Sequence, residues 1–168
     1  LASHGAVVGS LIGLYLYQLK FKKRSLLWLL DRITIPVSLG ACFVRLGNFF
    51  NSEIVGKYSN TDFGVVFLNR GENLPRHPAQ IYESICYLFL FLFLRKIYKS
   101  DKKNRQGYLI GSFFVGMFTI RFLIEYLKES QGGLEDILGI FSTGQWLSIP
   151  LILFGFYLIF KSSKLIEK

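Results

Sequence analysis

Along this chain polar and apolar positions separate into long blocks, without the alternation of a half-buried strand or the stripe of a surface helix. Apolar runs cover approximately residues 6–19, 33–50, 81–94, 108–127 and 146–160. Four are long enough to cross a bilayer as helices, and a fifth lies at the margin. The pattern predicts an all-α fold, a polytopic transmembrane helix bundle with about five spans, forming one membrane domain over residues 1–168. One sizeable polar connection, residues 51–76, carries turn residues at Gly64, Asn69, Arg70 and Gly71 and a short apolar run, residues 65–68, suited to a strand. It reads as a small extracytoplasmic cap on the helices.

Composition sharpens this picture. Of 168 residues, 51% are hydrophobic, 17% aromatic and only 18% charged, and the mean hydropathy is +0.38. These values exclude a disordered chain, a fibrous repeat and an ordinary water-soluble globule. The chain opens at Leu1, and its single Met is Met117. It therefore reads as a fragment lacking upstream helices, in which the absence of a signal peptide carries no meaning.

A net charge of +9 would suggest nucleic acid if the cations shared one soluble face, but they follow the connections instead. Lys20, Lys22, Lys23, Arg24 and Arg32 follow the first run; Arg95, Lys96, Lys99, Lys102, Lys103 and Arg105 the third; and Lys161, Lys164 and Lys168 the fifth. Those segments hold fourteen cations against Asp31, Asp101 and Glu167, a balance of +11, while the rest has six cations and eight acids, −2. Positive charge stays cytoplasmic, so the first, third and fifth spans run inward and the other two outward. The excess is a topology signal that also suits anionic membrane lipids, with no nucleic-acid partner. Cys42 and Cys86 fall inside spans, where a thiol is inert packing.

An ionisable side chain inside a membrane costs at least ~2.5 kcal/mol and persists only with a partner, a wet cavity or a function. Arg45, Asn48 and Asn51 share one side of the second span, and Arg121 and Glu125 lie at i, i+4 on the fourth, close enough to pair. His77, Gln80 and Glu83 begin the third span, His4 the first, and Gln145 with Trp146 the last. With the topology taken from the basic residues, all of them converge on the outer half of the membrane. Singly, each has a plain explanation: either arginine can snorkel to headgroups, Arg121 and Glu125 can be a structural ion pair, and His77-Pro78 can start a helix. Gly5, Gly9 and Gly13, and Gly107 with Gly111, read as close helix contacts. The clustering is what those explanations leave over.

Two guanidinium forks in a region of low dielectric suit a phosphate, and outward-facing helix N-termini favour an anion there. The ligand best placed to reach that depth is an anionic phospholipid. Glutamates beside the arginines would orient them, and histidine is the usual proton carrier near neutral pH. No G-x-S-x-G, H-E-x-x-H or intramembrane Asp pair is present. From the residues alone, an intramembrane enzyme and a phospholipid-handling transporter or flippase both stand.

Arg45-Leu-Gly-Asn48-Phe-Phe-Asn51-Ser-Glu53-Ile-Val-Gly56 resembles the signature of bacterial prolipoprotein diacylglyceryl transferase. Ser3-His4-Gly5, His77-Pro78-Ala-Gln80-Ile-Tyr82-Glu83, Arg121-Phe-Leu-Ile-Glu125 and Ser142-Thr143-Gly144-Gln145-Trp146 follow in that family's order and spacing. The resemblance covers essentially the whole chain. It implies a multi-pass enzyme of the bacterial cytoplasmic (inner) membrane with its active site on the extracytoplasmic side. It also implies further helices upstream, with a functional tyrosine that has no counterpart here. The implied reaction moves the diacylglyceryl group of phosphatidylglycerol to the lipobox cysteine thiol of a preprolipoprotein signal peptide, releasing glycerol 1-phosphate without metal or organic cofactor. On that resemblance His4 is the candidate base, and Arg45 and Arg121 hold the phosphate. Asn48 and Asn51 bond headgroup oxygens, Glu53 and Glu125 orient the arginines, and Gly56 lets the outer loop pass close to the lipid. His77, Gln80, Tyr82 and Glu83 line or brace the pocket.

Overall fold

The computed structural model describes residues 2–21, 24–129 and 141–164, with the side chains of residues 1–4, 6–7 and 163–164 outside the description. Five long helices make up most of it: α1 (Ala2–Phe21), α2 (Leu26–Phe50), α3 (Ala79–Tyr98), α4 (Tyr108–Ile124) and α5 (Thr143–Lys161). Two-residue strands β1 (Arg105–Gln106) and β2 (Ser163–Lys164) pair antiparallel at the end away from the cap. A 3-10 turn at Glu125–Leu127 extends α4. Three stretches, Leu26–Phe50, Tyr108–Leu127 and Thr143–Lys161, have the length and hydropathy to cross a membrane. Their outward faces carry large apolar side chains, among them Phe43, Val44, Leu153 and Phe160, as hydrocarbon contact requires. The fold is an all-α membrane helix bundle.

Small residues and buried apolar side chains set the packing. α4 and α5 pack as one pair, α2 and α3 as another, and α3 against α4 joins them. At the α4–α5 seam a Cβ on Gly111 would stand 2.7 Å from the carbonyl of Gly155, and one on Gly155 2.8 Å from that of Gly111. Only this reciprocal pair of glycines allows the backbones that close. Gly116 makes room for Leu90 in the same way between α3 and α4. Leu90, Leu94, Ile97 and Leu109 form the central cluster, flanked by Ile35, Phe113 and Met117.

Several sequence expectations change. α2 begins at Leu26, seven residues before the expected start, because Asp31 and Arg32 find partners within the bundle. Asp31, 1% exposed, accepts from the Gly107 and Ile110 amides at 2.8 Å each and so caps α4 from α2. Arg32 lies between the Trp28 and Tyr98 rings. α3 runs on to Tyr98, with Arg95 and Lys96 in its last turn, where cations suit a helix C-terminus. Residues 65–68 form no strand; Val65 exchanges backbone hydrogen bonds with Arg76, both 2.9 Å, and Leu68–Arg70 is a 3-10 turn. Gly5, Gly9 and Gly13 face open space, with nothing within 4 Å of an added Cβ among the described residues, because α1 barely touches the other helices. Of the small-residue pairs, Gly111 fulfils its packing role, whereas Gly107 is the left-handed residue (φ 86°) ahead of α4.

Asp31→Ala leaves two buried amides without an acceptor and should lower stability by ~1–3 kcal/mol, read as a fall in thermal midpoint in detergent. An unchanged midpoint would contradict the capping role.

A charged chain at the cap end

The end formed by the close of α2, the start of α3, the close of α4 and the start of α5 carries a continuous run of alternating charges. Arg45, 13% exposed, places Nε 2.8 Å from Glu83 Oε2, an ionic contact without hydrogen-bond alignment. Glu83, 1% exposed, takes the Lys128 ammonium on its other oxygen at 2.9 Å and the Tyr87 hydroxyl at 3.4 Å. Lys128, itself buried, also stands 3.3 Å from Glu125 Oε2. In the other direction Arg45 donates to Asn48 Oδ1 at 3.2 Å, and Asn48 donates to Glu53 Oε2 at 2.7 Å. Gln80 closes the set by donating to the Glu53 carbonyl at 2.5 Å. Glu125, Lys128, Glu83, Arg45, Asn48 and Glu53 thus form one chain across α4, the segment after it, α3 and α2.

Local structure explains how each group arrives. Glu83 and Tyr87 are one turn apart on the buried face of α3, and Arg45 and Asn48 are one turn apart near the close of α2. Beyond α2 the chain turns sharply: Ser52 (φ 57°) and Ile54 (φ 52°) are left-handed on either side of Glu53. That conformation is costly for a β-branched residue and marks a segment held by its surroundings. The Glu53 amide is held by the Asn48 carbonyl at 2.8 Å. Gly56 then passes between two backbones, where a Cβ would overlap His77 and meet the Leu127 carbonyl at 2.8 Å. Its small size serves contact with protein backbone. At the other side the start of α5 rests on Glu125, since a Cβ on Gly144 would overlap that carboxylate. A carboxylate there meets the positive end of the α5 dipole, and Ser142 with Gln145 completes a capping box on the same turn.

The cap has its own ion cluster. Arg76, 3% exposed, pairs with Glu72 and with Glu129 at 3.2 Å, donates to the Gly56 carbonyl at 3.1 Å and lies on the Tyr58 ring. The Arg76 guanidinium holds the Glu72 carboxyl below the usual carboxylate range, and Glu72 in turn pushes Arg76 up. A depressed carboxyl stabilises the cap above its unfolded-state titration range and loses that contribution only as pH falls through its lowered folded-state value. At neutral pH the pair is fully formed.

The structure brings Arg45, Asn48, Glu53, Gln80, Glu83 and Glu125 together and re-assigns their partners. Glu125 does not pair with Arg121; α4 tightens into a 3-10 turn at Glu125, and the carboxylate meets Lys128 instead. Glu83, expected to brace, is the direct partner of Arg45, and Glu53 reaches Arg45 only through Asn48. Arg121 has no ion pair or hydrogen bond from its side chain among the described residues. Asn51 is exposed at the close of α2, where its amide caps the helix. His77 stays outside the chain, its Nδ1 3.4 Å from the Tyr82 hydroxyl. Gln80 Oε1 is buried without a partner among the described residues. The side chain of His4 lies outside the described residues. Sequence reasoning missed Lys128, Tyr87 and Arg76; the i, i+3 spacing of Glu125 and Lys128 was the one available signal.

Glu83 is buried between Arg45 and Lys128, so removing it leaves buried cations uncompensated at ~3–5 kcal/mol, whereas removing Lys128 leaves Glu83 to Arg45 alone. Glu83→Gln and Lys128→Met should each lower stability in nanodiscs, and the double variant should cost much less than their sum. Additive losses would show that the pair is not coupled.

Comparison with known proteins adds an independent line. The family model described as prolipoprotein diacylglyceryl transferase matches residues 1–161. Among curated relatives, the phosphatidylglycerol–prolipoprotein diacylglyceryl transferase of Tolumonas auensis is 43% identical over 164 residues, covering 98% of this chain and 63% of the relative. The protein of the same name from Chloroherpeton thalassium is 46% identical over 98% of this chain and 61% of its own length. That from Bacteroides fragilis is 42% identical over 95% and 57%. The chain thus spans about three fifths of the length of these relatives. With the signature residues Arg45, Asn48 and Glu53 joined in one chain of contacts and the match running through the whole bundle, this chain belongs to the prolipoprotein diacylglyceryl transferase family.

Proposed function

We propose that the protein containing this chain transfers the diacylglyceryl group of phosphatidylglycerol to the thiol of a lipobox cysteine in a preprolipoprotein signal peptide. The cysteine thiol, with an ordinary pKa of about 8.5, gives its proton to a base. The thiolate sulfur attacks the diacylglycerol carbon that bears the phosphate ester. A carbon–sulfur bond forms, the carbon–oxygen bond breaks, and its electron pair leaves on glycerol 1-phosphate. Charge therefore grows on the departing phosphate, and fixed cations nearby lower that barrier. His4 is the base in this reading.

The observation that carries the reading is the contrast between the two arginines. Arg45 is held by Glu83 and Asn48, while Arg121 spends its charge on no partner among the described residues. One pre-set cation and one uncommitted among the described residues suit a phosphate that arrives and leaves. Tight neutralisation by Glu83 alone would leave Arg45 nothing to offer, but Glu83 shares its charge with Lys128. In this reading Asn48, Asn51, Glu53 and Gln80 serve the lipid headgroup, and His77 and Tyr82 brace the pocket; Asn48, Glu53 and Gln80 are already linked by hydrogen bonds. The names of the relatives support the two substrates.

The cap end faces the extracytoplasmic side of the bacterial cytoplasmic membrane in this proposal. Arg24, Arg32, Arg95, Lys96, Lys102, Lys103 and Lys161 all sit at the opposite helix ends, and such residues stay on the cytoplasmic side.

The test uses the full-length protein in phosphatidylglycerol membranes with a lipobox peptide, following the peptide's mass. A gain of one diacylglyceryl group is expected. Arg121→Lys, which keeps charge but loses the fork, should insert normally and lose ~100-fold or more in rate. An unshifted peptide mass with well-inserted protein would overturn the proposal, and full activity in Arg121→Lys would overturn the clamp.

A further inference from the structure

Two short segments hold the charged chain in place, and one of them carries Lys128 of that chain. Residues 55–57 and 127–129 run side by side: Lys57 N–H donates to the Leu127 carbonyl at 2.8 Å, Glu129 N–H to the Val55 carbonyl at 3.4 Å, and Gly56 and Lys128 form an antiparallel bridge. Lys128 has extended backbone (φ −83°, ψ 152°), so it and Glu129 point to opposite sides. Lys128 turns into the bundle toward Glu83 and Glu125. Glu129 turns outward, where Arg76 meets it.

Arg76 binds both segments at once, through the Gly56 carbonyl on one and the Glu129 carboxylate on the other. Its remaining donors reach Glu72, which also takes Arg70 at 3.1 Å, and Tyr58 covers its face at 3.9 Å. Val65 clasps its backbone in both directions at 2.9 Å. A guanidinium buried to 3% with four kinds of contact has one available position. From there it fixes the distance between Gly56 and Glu129, and so the direction in which Lys128 enters the bundle.

We infer that Arg76 is a positioning residue, a latch in the cap that sets how far Lys128 shares Glu83, and through Glu83 how much of the Arg45 charge is left for a phosphate. Without the latch Lys128 withdraws, Glu83 neutralises Arg45 alone, and the lipid phosphate meets a weaker cation. This deepens the proposed transferase function and rests on it for its kinetic consequence. Lysine cannot replace Arg76, since a single ammonium cannot serve Gly56, Glu72 and Glu129 together or stack on Tyr58.

The experiment takes the full-length protein in phosphatidylglycerol nanodiscs as wild type, Arg76→Gln, Arg76→Lys and Glu129→Gln. Amine acetylation followed by mass spectrometry reads the accessibility of Lys128, with exposed Lys57 as internal reference; transfer to a lipobox peptide gives KM for lipid and turnover per folded enzyme. In Arg76→Gln, Lys128 should acetylate about tenfold faster with Lys57 unchanged, and KM for phosphatidylglycerol should rise about tenfold. Arg76→Lys should rescue neither, and Glu129→Gln should give smaller shifts of the same sign. Unchanged Lys128 protection and unchanged KM would overturn the latch. Loss of folded protein in Arg76→Gln and Glu129→Gln, with normal KM in the surviving fraction, would reduce Arg76 to a staple and overturn it equally. If wild type transfers nothing, the transferase reading fails while the acetylation result still decides whether Arg76 places Lys128.

Discussion

A carboxylate with almost no access to solvent has to be surrounded, and Glu83 is surrounded from three directions: Arg45 from α2, Lys128 from the segment after α4, and Tyr87 from one turn further along α3. An isolated charge in such a place would be prohibitively expensive, so the helices and the cap are committed to this arrangement. What the commitment gives in return is a guanidinium, Arg45, whose position is set before any ligand arrives. In the proposed reaction, which expels a phosphate, pre-set charge leaves no reorganisation to be done when the bond breaks.

The other end of the bundle uses the same device for a different purpose. Asp31 reaches from α2 to the start of α4 and caps it, tying the two helices that bracket α3. With the glycine seam between α4 and α5, the bundle is fixed at its basic end by a cap and along its length by close backbone contact. The cap end can then carry strained backbone at Ser52 and Ile54 and a Gln80 oxygen without a partner among the described residues without loss of register.

Much of this was legible in the residue order. The apolar runs marked all five helices, and the i, i+3 spacing of Arg45 with Asn48 marked a polar face that the structure retains. The start of α2 was not legible, because hydropathy cannot see that Asp31 and Arg32 are satisfied by Gly107, Ile110, Trp28 and Tyr98. The i, i+4 spacing of Arg121 and Glu125 suggested a pair, but the helix tightens there and a cation three residues further on is better placed. Lys128 and Arg76 were passed over by sequence reasoning. Their burial depends on residues 55–57 folding back onto residues 127–129, a long-range contact that local pattern does not encode.

If the arginines at the cap end form an anion site shaped by Glu83, that site should distinguish a lipid by its headgroup before any chemistry occurs. The direct measurement is lipid binding to the full-length protein in nanodiscs, comparing phosphatidylglycerol with zwitterionic phosphatidylcholine in wild type, Arg45→Gln and Arg121→Gln. A preference for phosphatidylglycerol that falls in both variants, with the helices still folded, is the expected result. A preference that survives both substitutions would contradict the site.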